Sequence, residues 1–129
     1  MAAPTYDDSE WPLVRIRMPA AVSPAEFDAS LDYVDGLFSR GERFAVLMDV
    51  RGSAPPSAAQ RKAVAARMVA MFRIHPTRMA GMALVMSSAI ERGIMTAIQW
   101  LAKSNFPTRP FASVSEAEGW LRAQLRAGS

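Results

Sequence analysis

The sequence predicts an α/β domain built on a small, mostly parallel mixed sheet of four to five strands with four helices. Three observations carry this prediction. Two apolar runs, "FAVLMDV" (Phe44 to Val50) and "MAGMALVM" (Met79 to Met86), are almost unbroken, as strands buried on both faces of a parallel sheet tend to be. Four serine-led strings of the form Ser-x-x-Glu/Gln stand at the head of helical patterns. The apolar residues after each string recur at three- and four-residue spacing, which gathers them on one helical face. The resulting order is β(β)αβαβαβα, and right-handed crossovers would set helices on both faces of the sheet.

Each element has its own local reason. Thr5 to Asp8 reads as a short partner strand that turns at Ser9-Glu10. "PLVRIRM" (Pro12 to Met18) alternates, with Leu13 beside Arg15 and Arg17 and Val14 beside Ile16 and Met18; this is a half-exposed strand near an edge. "SPAE" (Ser23 to Glu26) is a capping box with proline at the first helical position. Its serine oxygen can accept from the third helical N–H, and its glutamate can reach back to the serine N–H. Phe27, Leu31, Val34 and Phe38 form the core face behind it, and Gly41 is the stop.

After the strand from Phe44, "SAAQ" (Ser57 to Gln60) opens a second helix with the stripe Val64, Met68, Met71 and Phe72. It ends at His75, because proline follows. After the strand from Met79, "SAIE" (Ser88 to Glu91) opens a third helix with the stripe Ile94, Ala97, Ile98 and Leu101. "PFAS" (Pro110 to Ser113) is a short last strand. "SEAE" (Ser115 to Glu118) caps a fourth helix with the stripe Ala117, Trp120, Leu121 and Leu125.

Composition narrows the function classes. A chain of 129 residues with 50% hydrophobic content suits one domain, residues 1–129, around one core. No apolar run approaches a membrane span, Met1 to Pro4 does not make a signal peptide, and there is no cysteine. A cytoplasmic location is the expectation. The net charge of +3 is thinly spread, without a Lys/Arg block, so specific nucleic-acid binding is not expected. One histidine and no cysteine leave only a weak all-oxygen metal site, and no cofactor is expected.

The strings "RGERFAVLMDVRG", "RMAGMALVM" and "RPFASVSEAEGWL" together resemble the STAS superfold, and within it the SpoIIAA-like family. The similarity covers nearly the whole chain. It implies a small non-enzymatic domain that acts as a regulatory or docking module, in the manner of anti-sigma-factor antagonists; some relatives are suspected of binding nucleotides or apolar ligands. Antagonists of that type carry a phosphorylatable serine in an Asp-Ser-Ser-Gly-like turn at a helix start. This chain has "RGSAPPS" there instead, which leaves Ser53 as the candidate phospho-acceptor, because Ser57 is engaged as a cap.

The candidate surface follows from the topology. Strands from Phe44 and Met79 would end side by side and present Asp49, Arg51 and Ser53, then Ser87 and Ser88. Helix N-termini point in there, which favours an anion. Arg61 is placed inward beside Val64 and Met68, where Asp49 is its expected partner, either as a structural strut or as one wall of a site. His75 is expected as a half-buried C-terminal cap, at the opposite pole from Asp49. Trp100 stands off the third stripe and is either packed under "KSNFPTRP" or exposed as an anchor for a dimer or an apolar partner. No paired acid and base, metal set or activated nucleophile is legible. The expected function is a non-catalytic regulatory or protein-interaction module, with a protein partner or a homodimer. The alternative is a carrier of a small apolar or anionic ligand, lipid or nucleotide, at the pole around Asp49 to Ser57.

Overall fold

The computed structural model describes residues 3–93 and 108–127. Among these, five strands and four helices follow one another as β1 (Thr5–Glu10), β2 (Leu13–Arg17), α1 (Pro24–Phe38), β3 (Phe44–Asp49), α2 (Ala58–Ile74), β4 (Met79–Val85), α3 (residues 89–93), β5 (Thr108–Phe111) and α4 (Val114–Ala127). The strands lie in one sheet in chain order. β1 runs antiparallel to β2, and every other neighbouring pair is parallel. The expected α/β class and mixed sheet are therefore observed. The third stripe (Ile94, Ala97, Ile98 and Leu101) and Trp100 lie outside the described residues.

Strand alternation divides the core into two layers. Val14, Ile16, Phe44 and Val46 point to the face that receives Val34, Leu37 and Phe38 of α1 and Met68 of α2. Leu13, Ala45, Leu47, Ala83 and Val85 point to the other, which receives Ala117 and Leu121 of α4. Phe38 is fully buried; it meets Phe44 edge-on at 5.0 Å and Phe72 at 5.8 Å. His75 caps α2, donating its N–H to the Met71 carbonyl, and its ring stacks on Phe38 at 6.0 Å. It is the half-buried cap that the sequence implied.

The helix starts obey their local chemistry, with one shift. Both hydrogen bonds of the capping box form at Ser23/Glu26 and again at Ser57/Gln60. Ser88 Oγ accepts from the Glu91 N–H at 3.2 Å. The fourth cap is Ser113, not Ser115. Ser113 Oγ accepts from the Glu116 N–H at 3.2 Å, and the Ser113 carbonyl accepts from the Ala117 N–H. "SVSE" and "SEAE" overlap as Ser-x-x-Glu strings, and packing decides between them. Starting at Val114 leaves Glu118 on the helix flank, where its carboxylate takes Arg15 of β2 at 2.6 Å. Arg15 also pairs with Glu10, and Glu10 with Arg122, so β1, β2 and α4 share one charge network.

Two strand ends also differ from expectation. β1 runs on to Glu10, and the chain turns at Trp11 and Pro12 instead of at Ser9-Glu10. The register shifts between Asp7 and Glu10, where the Ser9 N–H bonds the Asp7 carboxylate and the Trp11 N–H bonds the Asp8 carbonyl. That irregularity carries the strand past the expected turn. β5 begins at Thr108, two residues before "PFAS". Both edges of the sheet resist pairing with another chain: β1 exposes Asp7, Asp8 and Glu10, and β5 carries Pro110, which has no N–H to donate.

Candidate functional site

Four parallel strands send their carboxyl ends to one pole. There the ladder continues into the loops: the Met18 N–H donates to the Asp49 carbonyl, Val50 to Val85, and Met86 to Phe111, at 2.9–3.1 Å. The loop from Val50 to Ser57 starts with a tight turn, closed by the Ser53 N–H on the Val50 carbonyl at 3.0 Å. Gly52 sits at its third position with φ +76°, a left-handed conformation that side chains oppose. Farther along, the Ala54 N–H bonds Ala20, which ties this loop to the one between β2 and α1.

Asp49 is the buried acid of this pole, its side chain 9% exposed. Both carboxylate oxygens are saturated. Oδ1 accepts from the Arg51 N–H at 3.1 Å and from Arg51 Nε at 2.9 Å. Oδ2 accepts from Arg51 Nη2 and from Arg17 Nη1, each at 2.7 Å. Hydrogen bonds from Arg51 hold the carboxyl below its ordinary range, against the opposing effect of burial, and the Arg17 charge adds to this. A carboxylate with four donors and a depressed pKa is a poor proton acceptor. It is a well-suited structural node.

The partner of Asp49 is therefore not Arg61. Arg61 is exposed, and its Nη1 donates to the Pro56 carbonyl at 2.9 Å. The helical rotation that placed it inward is outweighed by its position in the first turn, where a long side chain reaches back over the loop instead of under the helix. Arg51, two residues on, takes most of that role, and Arg17 shares it because parallel pairing sets it directly opposite Asp49. The sequence placed Arg17 on the face of Leu13 and Arg15, but strand register is not written in one strand alone.

The remaining candidates separate. Arg51 stands in the node, and its side chain remains 42% exposed. Ser53 is half-buried in the adjoining turn. Ser57 and Ser88 are occupied as caps, and Ser87 is exposed at the end of β4. One feature was not legible in the sequence. A shallow groove open to solvent lies at the corner of β5, α3 and α4, lined by Arg92, Gly93, Arg109, Phe111 and Glu116 among others. None of residues 49–57 borders it. Among the described residues, no three His, Cys, Asp or Glu side chains converge as metal ligands, and no helix is long and apolar enough to cross a membrane.

A model of the SpoIIAA-like family matches residues 13–122. The chain belongs to the SpoIIAA-like family. Its fold is shared with a solved structure, an uncharacterised protein from Shewanella loihica PV-4 with a SpoIIAA-like fold. The two are 11% identical, with a TM-score of 0.63 over 92% of each chain. At that identity the likeness concerns the fold alone. No curated protein matches the sequence. In this SpoIIAA-like chain the matched span takes in the whole of the Asp49 node, from Arg17 on β2 to Arg51 after β3.

Proposed function

We propose that this SpoIIAA-like chain is a non-catalytic regulatory or interaction module whose partner surface is the strand-end pole, residues 49–57 with Ser87 and Ser88. The observation that carries the reading is the Asp49 node. The one buried acid at the pole is consumed in holding the loop, while the guanidinium groups that hold it face outward at 59% and 42% exposure. An arginine fixed by a carboxylate beneath it is pre-ordered for a protein surface, and arginine is enriched at such contacts. The acid-rich β1 edge and the proline in β5 disfavour assembly through the sheet edges, which leaves the loop pole and the helix faces. Ser53 is the candidate acceptor for a phosphate that would switch this surface, since it is two residues from Arg51 and caps no helix.

A photo-crosslinking amino acid at position 53, compared with one at the exposed Glu42, tests the reading in cells of the source organism. A discrete adduct from position 53, lost when Arg17 and Arg51 are both changed to Glu, is the expected result. Equal labelling from both positions, or none from position 53, would sink it. Intact-mass measurement of the protein from the same cells reads the phosphate, and an unmodified Ser53 would remove the switch.

A further inference from the structure

We propose that the outer face of α1 and α2 is an interface between two copies of this chain. It lies on the helical layer and does not depend on the reading given for the strand-end pole. Charge is divided cleanly between the two helices. α1 carries Glu26, Asp28, Asp32 and Asp35 and no base. α2 carries Arg61, Lys62, Arg67 and Arg73 and no acid. Within the chain the two are joined through Arg67, which takes Asp32 at 2.6 Å and Asp35 at 2.8 Å. Glu26 serves the cap of α1, and Arg61 donates to the Pro56 carbonyl. Asp28, Lys62 and Arg73 are exposed and form no ion pair among the described residues.

Between these charges the face is apolar and open. Apart from Gln60 and its four bases, every residue of α2 is apolar, yet only Met68 is buried. Ala59, Ala63, Ala66 and Ala70 recur at helical spacing along its outer side and are exposed, and Val69 and Ile74 beside them are 45% and 62% exposed. On α1 the outer side runs Ala25, Ala29, Asp32 and Gly36, at the same spacing and also exposed. Gly36 is an observation independent of charge. It sits inside the helix without the positive φ that would call for glycine, and a Cβ there would meet nothing within 4 Å. Glycine is a costly helix residue, and among the described residues nothing fills the space it leaves, so another backbone can approach closely. The pattern of charge selects the occupant. α1 and α2 pack on one face of the sheet, and each runs back from one parallel strand to the next, so they point the same way. A two-fold axis along the line between them sets α1 of each copy over α2 of the other. Acid then meets base twice, and the two stripes of small residues face each other. A partner of single charge, such as nucleic acid or an anionic membrane, would be repelled by one half of this face.

The test is sedimentation equilibrium of the intact chain over graded protein and salt concentrations. The wild type should show a monomer–dimer equilibrium that weakens as salt screens the charges. Asp28→Lys with Asp32→Lys, or Lys62→Glu with Arg73→Glu, sets like charges against each other in both halves of the interface. Either pair should weaken the dimer more than about tenfold. Mixing the two variants opposes unlike charges again and should restore a one-to-one dimer. Gly36→Gln should abolish the dimer yet raise the Tm at a dilution where both proteins are monomers, a combination that misfolding does not give. All these positions are exposed, so the variants are expected to keep the wild-type circular dichroism. A wild type that stays monomeric at every concentration overturns the proposal. So does a mixture of the charge variants that stays monomeric, or a dimer that survives in each of them, which would place the contact elsewhere on the surface.

Discussion

Replacing Asp49 by Asn keeps the shape of the side chain and removes its charge. The Asn oxygen can still accept one or two of the four hydrogen bonds, but its amide nitrogen can only donate. That nitrogen would then face guanidinium donors where Oδ1 or Oδ2 now accepts two bonds. A hydrogen bond to a charged group contributes about 1.5–3 kcal/mol in a shielded setting. Here Arg17 and Arg51 are 59% and 42% exposed, so solvent screens each pair and each contributes less than that. Two weakened pairs and a buried amide left facing cations together give about 2 kcal/mol of lost stability. For a chain of 129 residues that is about 7 °C in Tm, which a thermal melt followed by circular dichroism resolves.

The pH dependence makes this prediction sharper. The folded carboxyl of Asp49 titrates below its ordinary value of 3.8. Its contribution is therefore fully present above that value and is lost as the pH falls through the lower, folded value. The gap between wild type and Asp49→Asn should stay level from pH 7 down to about 5 and close at more acid pH. A gap below about 0.5 kcal/mol at pH 7 would refute the node, because that is the scatter of ordinary surface substitutions. A gap that persists unchanged in acid would refute the electrostatic cause.

Two further predictions test the packing. Ser113→Ala should cost about 1 kcal/mol through loss of the α4 cap, while Ser115→Ala should be close to neutral; chemical denaturation of both variants that shows the reverse order would return the cap to Ser115. Gly81→Ala would place a methyl group 3.1 Å from the Trp120 ring and 3.4 Å from Leu121, so it should lower stability by about 1–3 kcal/mol; an unchanged denaturation midpoint would show that the α4 layer can move aside.

The sequence by itself determined the local elements of this protein, because their causes are local. A serine cap and the glutamate or glutamine three residues on satisfy each other wherever the helix is placed, and Ser23 and Ser57 do so as written. The unbroken apolar runs at Phe44 and Met79 had to be buried on both faces, and they became the central strands. The strings that resembled the SpoIIAA-like family did so because they encode this order of elements, and the family match confirms it. Tertiary structure decided every choice between partners distant in the chain. Arg61 was the expected partner of Asp49; the turn after β3 brings Arg51 to it instead, and parallel register adds Arg17 from 32 residues away. Ser113 and Ser115 were both available as caps, and the pairing of Glu118 with Arg15 chose between them. The shallow groove that Arg109 and Glu116 border is formed where β5, α3 and α4 meet. Hydrogen bonds within a turn need only neighbours in sequence, whereas a distant ion pair or a groove needs the sheet that brings its parts together.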